Sequence, residues 1–102
     1  MCYIKEIEDL LTNNKEYLNQ IAVLKQTGGE YQDLQDKLKF LSFSLSLLDT
    51  HQRELVYAIF MKGVSMRRYS LQTGVSRNFI AKEKQRILDK LNQYFMIKYK
   101  SA

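Results

Sequence analysis

The sequence predicts an all-α protein, with a hairpin of two long N-terminal helices and a C-terminal helix-turn-helix domain of three to four helices. Its 102 residues include no proline and only four glycines, so few residues would interrupt a helix. Apolar residues recur at spacings of three and four in the first half, whereas the second half contains short segments bounded by serine and glycine. We therefore divide the chain into a helical arm, residues 1–48, which would serve packing or dimerisation, and a second domain, residues 49–102.

The first long helix is predicted over residues 3–26. One apolar stripe follows heptad-like spacing and an adjoining stripe recurs every seven residues. The first stripe contains Ile4, Ile7, Leu11, Leu18 and Ile21, and the second contains Tyr3, Leu10, Tyr17 and Leu24. Gly28 and Gly29 would end this helix, because glycine adopts the left-handed C-cap conformation at no steric cost.

A second helix is predicted from about residue 30 to residue 48. Its apolar seam is Tyr31, Leu34, Leu38, Leu41, Leu45 and Leu48, and it is widened by Phe40, Phe43 and Leu47. The short glycine link between the two helices favours an antiparallel hairpin. The apolar stripes can pack within the molecule, and the second stripe of the first helix remains open as a dimer face.

Composition argues against several classes of function. Cys2 is the one cysteine and His51 the one histidine, which excludes an internal disulfide and leaves no metal-ligand cluster. The chain shows no phosphate-binding loop and no nucleophile–base pair, so we predict that it is not an enzyme and needs no cofactor. No apolar run approaches the ~20 residues of a membrane span. The N-terminus does not resemble a signal peptide, so we expect a cytoplasmic protein without a membrane partner.

Charge differs between the two halves. Residues 1–48 contain five basic and seven acidic residues, whereas residues 49–102 contain eleven basic and four acidic residues. The second half is thus the part expected to meet a polyanion, although a solvated basic surface without a partner is the alternative.

Four helices are predicted in the second half, over about residues 50–61, 66–73, 77–92 and 94–100. Asp49 or Thr50 would cap the first, Ser65 the second and Ser76 the third, while Gly74 would end the second. The last segment is aromatic, and we expect it to pack back on the helical bundle.

The segment from residue 63 to residue 80 has the layout of a helix-turn-helix. Its two serine caps are separated by a turn glycine, and the small side chain of Ser70 lies where the helices would approach each other. The residues expected to share a core between the helices are Val64, Tyr69, Val75 and Ile80. The N-terminal part of the second helix would then be free to enter a DNA major groove.

The side chains that would meet DNA lie on both helices. Arg77, Asn78, Ala81, Lys82 and Gln85 are expected to point outward together, with chemistry suited to base edges, phosphates or a thymine methyl group. Arg67 and Arg68 would contact phosphates, and Ser76 and Arg86 complete the candidate set. An ordinary solvated surface is the alternative for any one of these residues. Phe79 is expected in the core, with a role as an apolar groove contact as its alternative.

A resemblance to a known family rests on a series of short motifs. They are Leu48, Arg53-Glu54-Leu55, Gly63-Val64-Ser65, Gly74-Val75-Ser76-Arg77, Ile80 and Arg86-Ile87-Leu88-Asp89-Lys90-Leu91. Residues 48–91 thereby resemble region four of bacterial sigma factors, although Tyr69-Ser70 replaces the usual Ile-Ala and Thr73-Gly74 the usual Leu-Gly. With its helical arm, the chain looks like the phage late transcriptional regulators of the ArpU and RinA type. The resemblance implies a regulator of a prophage or mobile element, with Arg77, Asn78, Ala81, Lys82 and Arg86 reading DNA.

The predicted function is therefore sequence-specific binding of double-stranded DNA in transcription control. A homodimer joined by the N-terminal helices is expected, because paired half-sites raise specificity. One alternative is a sigma-like adaptor or inhibitor that binds RNA polymerase or another regulator without reading DNA. Another is a small DNA-packaging or recombination subunit that uses the same motif.

Overall fold

The computed structural model describes the backbone of residues 2–100 and the side chains of residues 2–99. Met1 of the predicted arm, and Ser101 and Ala102 of the predicted second domain, lie outside the described residues. The helices are α1 (Ile4–Thr12), α2 (Asn14–Thr27), α3 (Gln32–Ser46), α4 (Thr50–Val56), α5 (Met66–Thr73) and α6 (Arg77–Lys100). Between α4 and α5, Tyr57–Met61 forms a π-helical turn. These residues contain no strand, so the predicted all-α class is confirmed.

The first predicted helix is interrupted at Asn13, which separates α1 from α2. Asn13 has φ −106° and ψ 23°, outside the α-helical values of its neighbours. Its side-chain amide donates a hydrogen bond of 2.8 Å to Asp9, whose carboxylate also accepts one from Tyr17. The helical hydrogen bonds from the Asn13 amide to Asp9 and from the Tyr17 amide to Asn13 are retained at 2.9 Å, so the interruption is a local change of backbone angles at a residue of low helix propensity.

The helix ends in the second half follow local capping chemistry. Asp49 caps α4 by a reciprocal capping box, in which its carboxylate accepts from the Gln52 amide at 2.8 Å. The π-helical turn is closed by a hydrogen bond of 2.9 Å from the Lys62 amide to the Tyr57 carbonyl oxygen. Gly63 follows with φ 72°, a left-handed value that favours glycine.

The predicted helices over 77–92 and 94–100 form one continuous helix, α6. No glycine or proline lies between residues 77 and 100, so nothing local ends the helix at residue 92. The aromatic segment packs back on the bundle, as expected: Phe95 is fully buried, with its ring 5.2 Å from that of Phe40 and 6.1 Å from that of Tyr3. The Tyr3 amide also donates to the Asn92 side chain at 2.7 Å, which ties the start of the chain to α6.

One hydrophobic core joins the N-terminal helices to the second half. Its fully buried members include Ile7, Leu11, Ile80, Ile87 and Leu91, so α1 and α6 lie at its centre. Several predicted stripe residues are instead exposed, namely Leu18, Phe43 and Leu47. The apolar stripes of the arm are thus wider than the surface that the rest of the chain covers.

Candidate nucleic-acid interface

The connection between α5 and α6 is short and capped on both sides. The Ser65 hydroxyl accepts from the Arg68 amide at 3.1 Å at the start of α5, and the Ser76 hydroxyl accepts from the Phe79 amide at 3.2 Å in α6. Gly74 ends α5 with φ 76°, and its amide donates to the Ser70 carbonyl oxygen at 2.8 Å. The predicted bounds of α5 and its cap residues are confirmed.

Side chains between the two helices hold the turn in place. The Ser70 hydroxyl donates a hydrogen bond to the Val75 carbonyl oxygen, which explains why a small polar residue is tolerated there. Ile80 is fully buried, while Tyr69 and Val75 pack against the core in part. Burial, and secondarily the charge of Glu54, raises the pKa of the Tyr69 hydroxyl above its ordinary value. The first turns of α6 are therefore anchored by Ile80 and expose the residues around it.

All nine predicted DNA-binding residues are exposed. They are Arg67, Arg68, Ser76, Arg77, Asn78, Ala81, Lys82, Gln85 and Arg86. Three of them interact with residues of α6: Ser76 caps the helix, Gln85 donates to Asp89 at 3.0 Å, and an Arg86 nitrogen lies 3.5 Å from a Glu83 carboxylate oxygen.

Four of the cations have no partner. Across residues 2–99, the side chains of Arg67, Arg68, Arg77 and Lys82 form no hydrogen bond, ion pair or ring contact. They lie in the first turns of α5 and α6, on either side of the capped connection. Cations left without partners can neutralise an external anion at no cost in broken intramolecular contacts.

The segment that contains the four free cations is strongly basic. From residue 62 to residue 86 the chain contains seven basic residues and one acidic residue, Glu83. The Glu83 side chain is only 15% exposed and accepts a hydrogen bond of 2.9 Å from the Gln52 amide group. Acidic groups also reach this segment from outside: Glu54 acts on Tyr69, and Asp89 accepts from Gln85. Basic charge therefore predominates around the four free cations.

The Gln52–Glu83 hydrogen bond was not accessible from the sequence. Gln52 is 6% exposed and joins α4 to α6 through its side chain, although the two residues lie far apart in the chain. The Asp49–Gln52 spacing signals a capping box, but nothing in the sequence indicates the second partner of Gln52.

Two further side chains at this surface differ from, or add to, the sequence prediction. The expectation that Phe79 belongs to the core is wrong, since it is 52% exposed; Ile80 alone fills the buried position of that turn. Glu8 of α1 lines a shallow depression together with Ala81 and Gln85. Helix α1 thus borders the interface without covering it, because Ala81 and Gln85 remain exposed.

The arrangement is suited to binding an anionic surface. Within residues 2–100 there is no cluster of three or more His, Cys, Asp or Glu side chains that could hold a metal ion. His51 is exposed, and Cys2 is an exposed free thiol. Over the same residues, no helix is both long and apolar enough to span a membrane.

Comparison of the chain with protein-family models, with curated proteins and with solved structures finds no significant match.

Proposed function

We propose that this protein binds double-stranded DNA with sequence preference and regulates transcription. In this proposal α5, the capped connection and the first half of α6 act as a helix-turn-helix, and α2 and α3 form the hairpin of an appended arm. Helix α6 would enter the major groove, which at about 12 Å wide admits one helix.

The observation that carries the proposal is the set of four partnerless cations at the starts of α5 and α6. Arg67 and Arg68 suit phosphates on the groove edge, because the first helix of such a motif crosses the backbone. Arg77 and Lys82 flank the exposed Asn78, whose amide can pair with adenine. In this proposal the cations of α5 supply charge for affinity, and the exposed residues of α6 supply hydrogen-bonding groups for base reading.

The assignment to transcription is supported by the resemblance of residues 48–91 to sigma region four. One helix reads few base pairs, so we infer that two copies bind paired half-sites about 34–36 Å apart. RNA polymerase is a further candidate partner through the same resemblance.

Selection of bound duplexes from a random pool gives the test its substrate. With the selected duplex and a random duplex, Arg77→Ala should weaken binding mainly to the selected one, because it removes a base contact. Arg67→Ala should weaken binding to both equally, because it removes a phosphate contact. A single base contact discriminates by about 1–3 kcal/mol, which corresponds to roughly 5- to 150-fold.

Lys25→Ala is the matched control, since it removes one positive charge from the end of α2 and should change neither affinity. Equal losses on both duplexes for Arg77→Ala would reject its reading role. Absence of binding to either duplex at low salt would reject the DNA proposal and leave the adaptor alternative. The stoichiometry of the same titration reports whether two copies bind.

A further inference from the structure

An open apolar groove of about 490 Å³ lies between α2 and α3. Buried Ile21, Leu38 and Leu41 are among the residues that line it, and Leu18 and Leu45 extend its apolar surface. Leu18 is 52% exposed although it belongs to the predicted apolar stripe of the arm. The groove therefore presents apolar surface that no described part of the chain covers.

The groove continues along the π-helical turn. Met61 and Leu45 line both the main groove and a smaller depression beside it, and Met61 and Tyr57 line a third depression with Leu11. Tyr57 is 54% exposed at this end. Because π-helical turns displace side chains from the ordinary helical register, this one places Tyr57 and Met61 beside the arm. The result is an elongated surface, which suits an elongated ligand.

The charges along this surface have one sign. Every charged residue that lines the groove and its two adjoining depressions is basic: Lys15, Lys25, Lys39, Arg53 and Lys62. Lys25 and Lys62 stack over the rings of Tyr31 and Tyr57, and Arg53 donates to backbone carbonyl oxygens. Lys15 and Lys39 have no partner within the described residues. The acidic residues of α2 and α3 act elsewhere. Glu16 lines a separate depression with Val23, while Asp33 and Asp36 act electrostatically on Tyr99 of α6.

We propose that this groove binds an acidic amphipathic helix of a partner protein. An apolar channel between two helices accepts a third helix through anchors at positions i, i+3, i+4 and i+7. Carboxylates beside those anchors would face the basic rim, which supplies charge complementarity along the whole length of the groove.

A second copy of this chain is the weaker occupant. A symmetric interface places the same patch on both subunits, so lysines such as Lys25 and Lys39 would lie opposite equivalent lysines. Like charges brought together in this way oppose association. The partner chemistry that fits is an acidic helix from a different chain.

The test uses a designed peptide as the probe. A fluorescein-labelled helix of about 18 residues, long enough to be helical, has leucines at the four anchor positions and glutamates beside them. Its sibling has lysine at each glutamate position. Fluorescence anisotropy at low salt with the full chain should show the acidic peptide binding at least about tenfold more tightly than the lysine peptide. Each exposed ion pair between a glutamate and the groove contributes about twofold in affinity, and a lysine at the same position replaces that attraction by repulsion.

Substitutions locate the binding. Leu18→Glu should weaken the acidic peptide about tenfold or more, because it removes an apolar wall and adds a repelling charge. Val23→Glu is the matched control: Val23 is as exposed, at 60%, lies on the same helix and is outside the groove, so binding should change less than about twofold. The double variant Lys25→Glu, Lys39→Glu should invert the preference, binding the lysine peptide more tightly than the acidic one.

Three results would overturn the proposal. These are equal binding of the two peptides, an unchanged preference in the double variant, or a dimer in sedimentation that Leu18→Glu dissociates, which would make a second copy the occupant. DNA affinity of the same variants is measured in parallel and should not change. Absence of DNA binding by the unchanged protein, together with the expected peptide binding, would reject the DNA proposal alone.

Discussion

The salt dependence of DNA binding follows quantitatively from the free cations available to phosphates, namely Arg67, Arg68 and Lys82. Each phosphate neutralised contributes about 0.9 to the slope of log affinity against log salt, so three contacts predict a slope of about −2.7. Affinity for a random duplex should then fall about 40-fold between about 50 and 200 mM salt. Arg77 is left out of this number because we assign it to a base edge, and Lys84 and Arg86 because Phe60 and Glu83 already engage them.

Arg67→Ala removes one of these contacts and should reduce the slope to about −1.8. Over the same fourfold rise in salt, affinity of this variant should fall only about 12-fold. Anisotropy titrations with a labelled random duplex at five salt concentrations measure both slopes, and Lys25→Ala should retain the slope of the unchanged protein. A shallow slope for the unchanged protein, or the same slope with and without Arg67, would refute the reasoning.

Three further predictions concern stability, each read from urea unfolding. Phe95→Ala should lower the free energy of unfolding by roughly 3–5 kcal/mol, because its ring is fully buried, whereas Ile97→Ala, 70% exposed, should change it by less than about 0.5 kcal/mol. The Tyr99 hydroxyl is buried with no hydrogen bond within the described residues, and burial raises its pKa. Tyr99→Phe should therefore not destabilise the protein at pH 7. Above about pH 10 the unfolded chain ionises more readily than the folded protein, so Tyr99→Phe should remove part of the stability loss that begins there. Gly74→Ala and Gly63→Ala should each lower the free energy of unfolding by about 1 kcal/mol, because both glycines have positive φ and an added Cβ meets no atom within 4 Å. A much larger loss of stability at either position would contradict this.

The helix ends that depend on local chemistry could be predicted from the sequence. Ser65 and Gly74 bound α5 at the predicted residues, because a serine cap and a left-handed glycine act through their own neighbours. Asn13 shows the limit of such reasoning. It interrupts the first helix through a local change of backbone angles, which heptad spacing does not reveal.

Burial could be predicted only where a neighbouring element was known. Helical spacing identifies Leu18 and Phe79 as apolar positions, but it does not say whether another helix covers them. Both are exposed, whereas Ile21 of the same stripe as Leu18, and Ile80 next to Phe79, are buried. The π-helical turn and the Gln52–Glu83 hydrogen bond could not be predicted for the same reason: both depend on packing between elements that are distant in the chain.

Segment charge is a poor guide to surface charge, and the arm shows why. Residues 1–48 are net acidic, which by itself argues against an anionic partner for that part of the chain. Glu6, however, forms an ion pair of 2.7 Å with Lys37, and the Asp9 carboxylate is engaged by Asn13 and Tyr17. Lys15 and Lys39 form no ion pair within the described residues and lie along the apolar groove. Folding thus places several acidic groups in internal contacts and leaves cations facing outward, so both candidate binding surfaces of this protein are positive even though only one half of its sequence is.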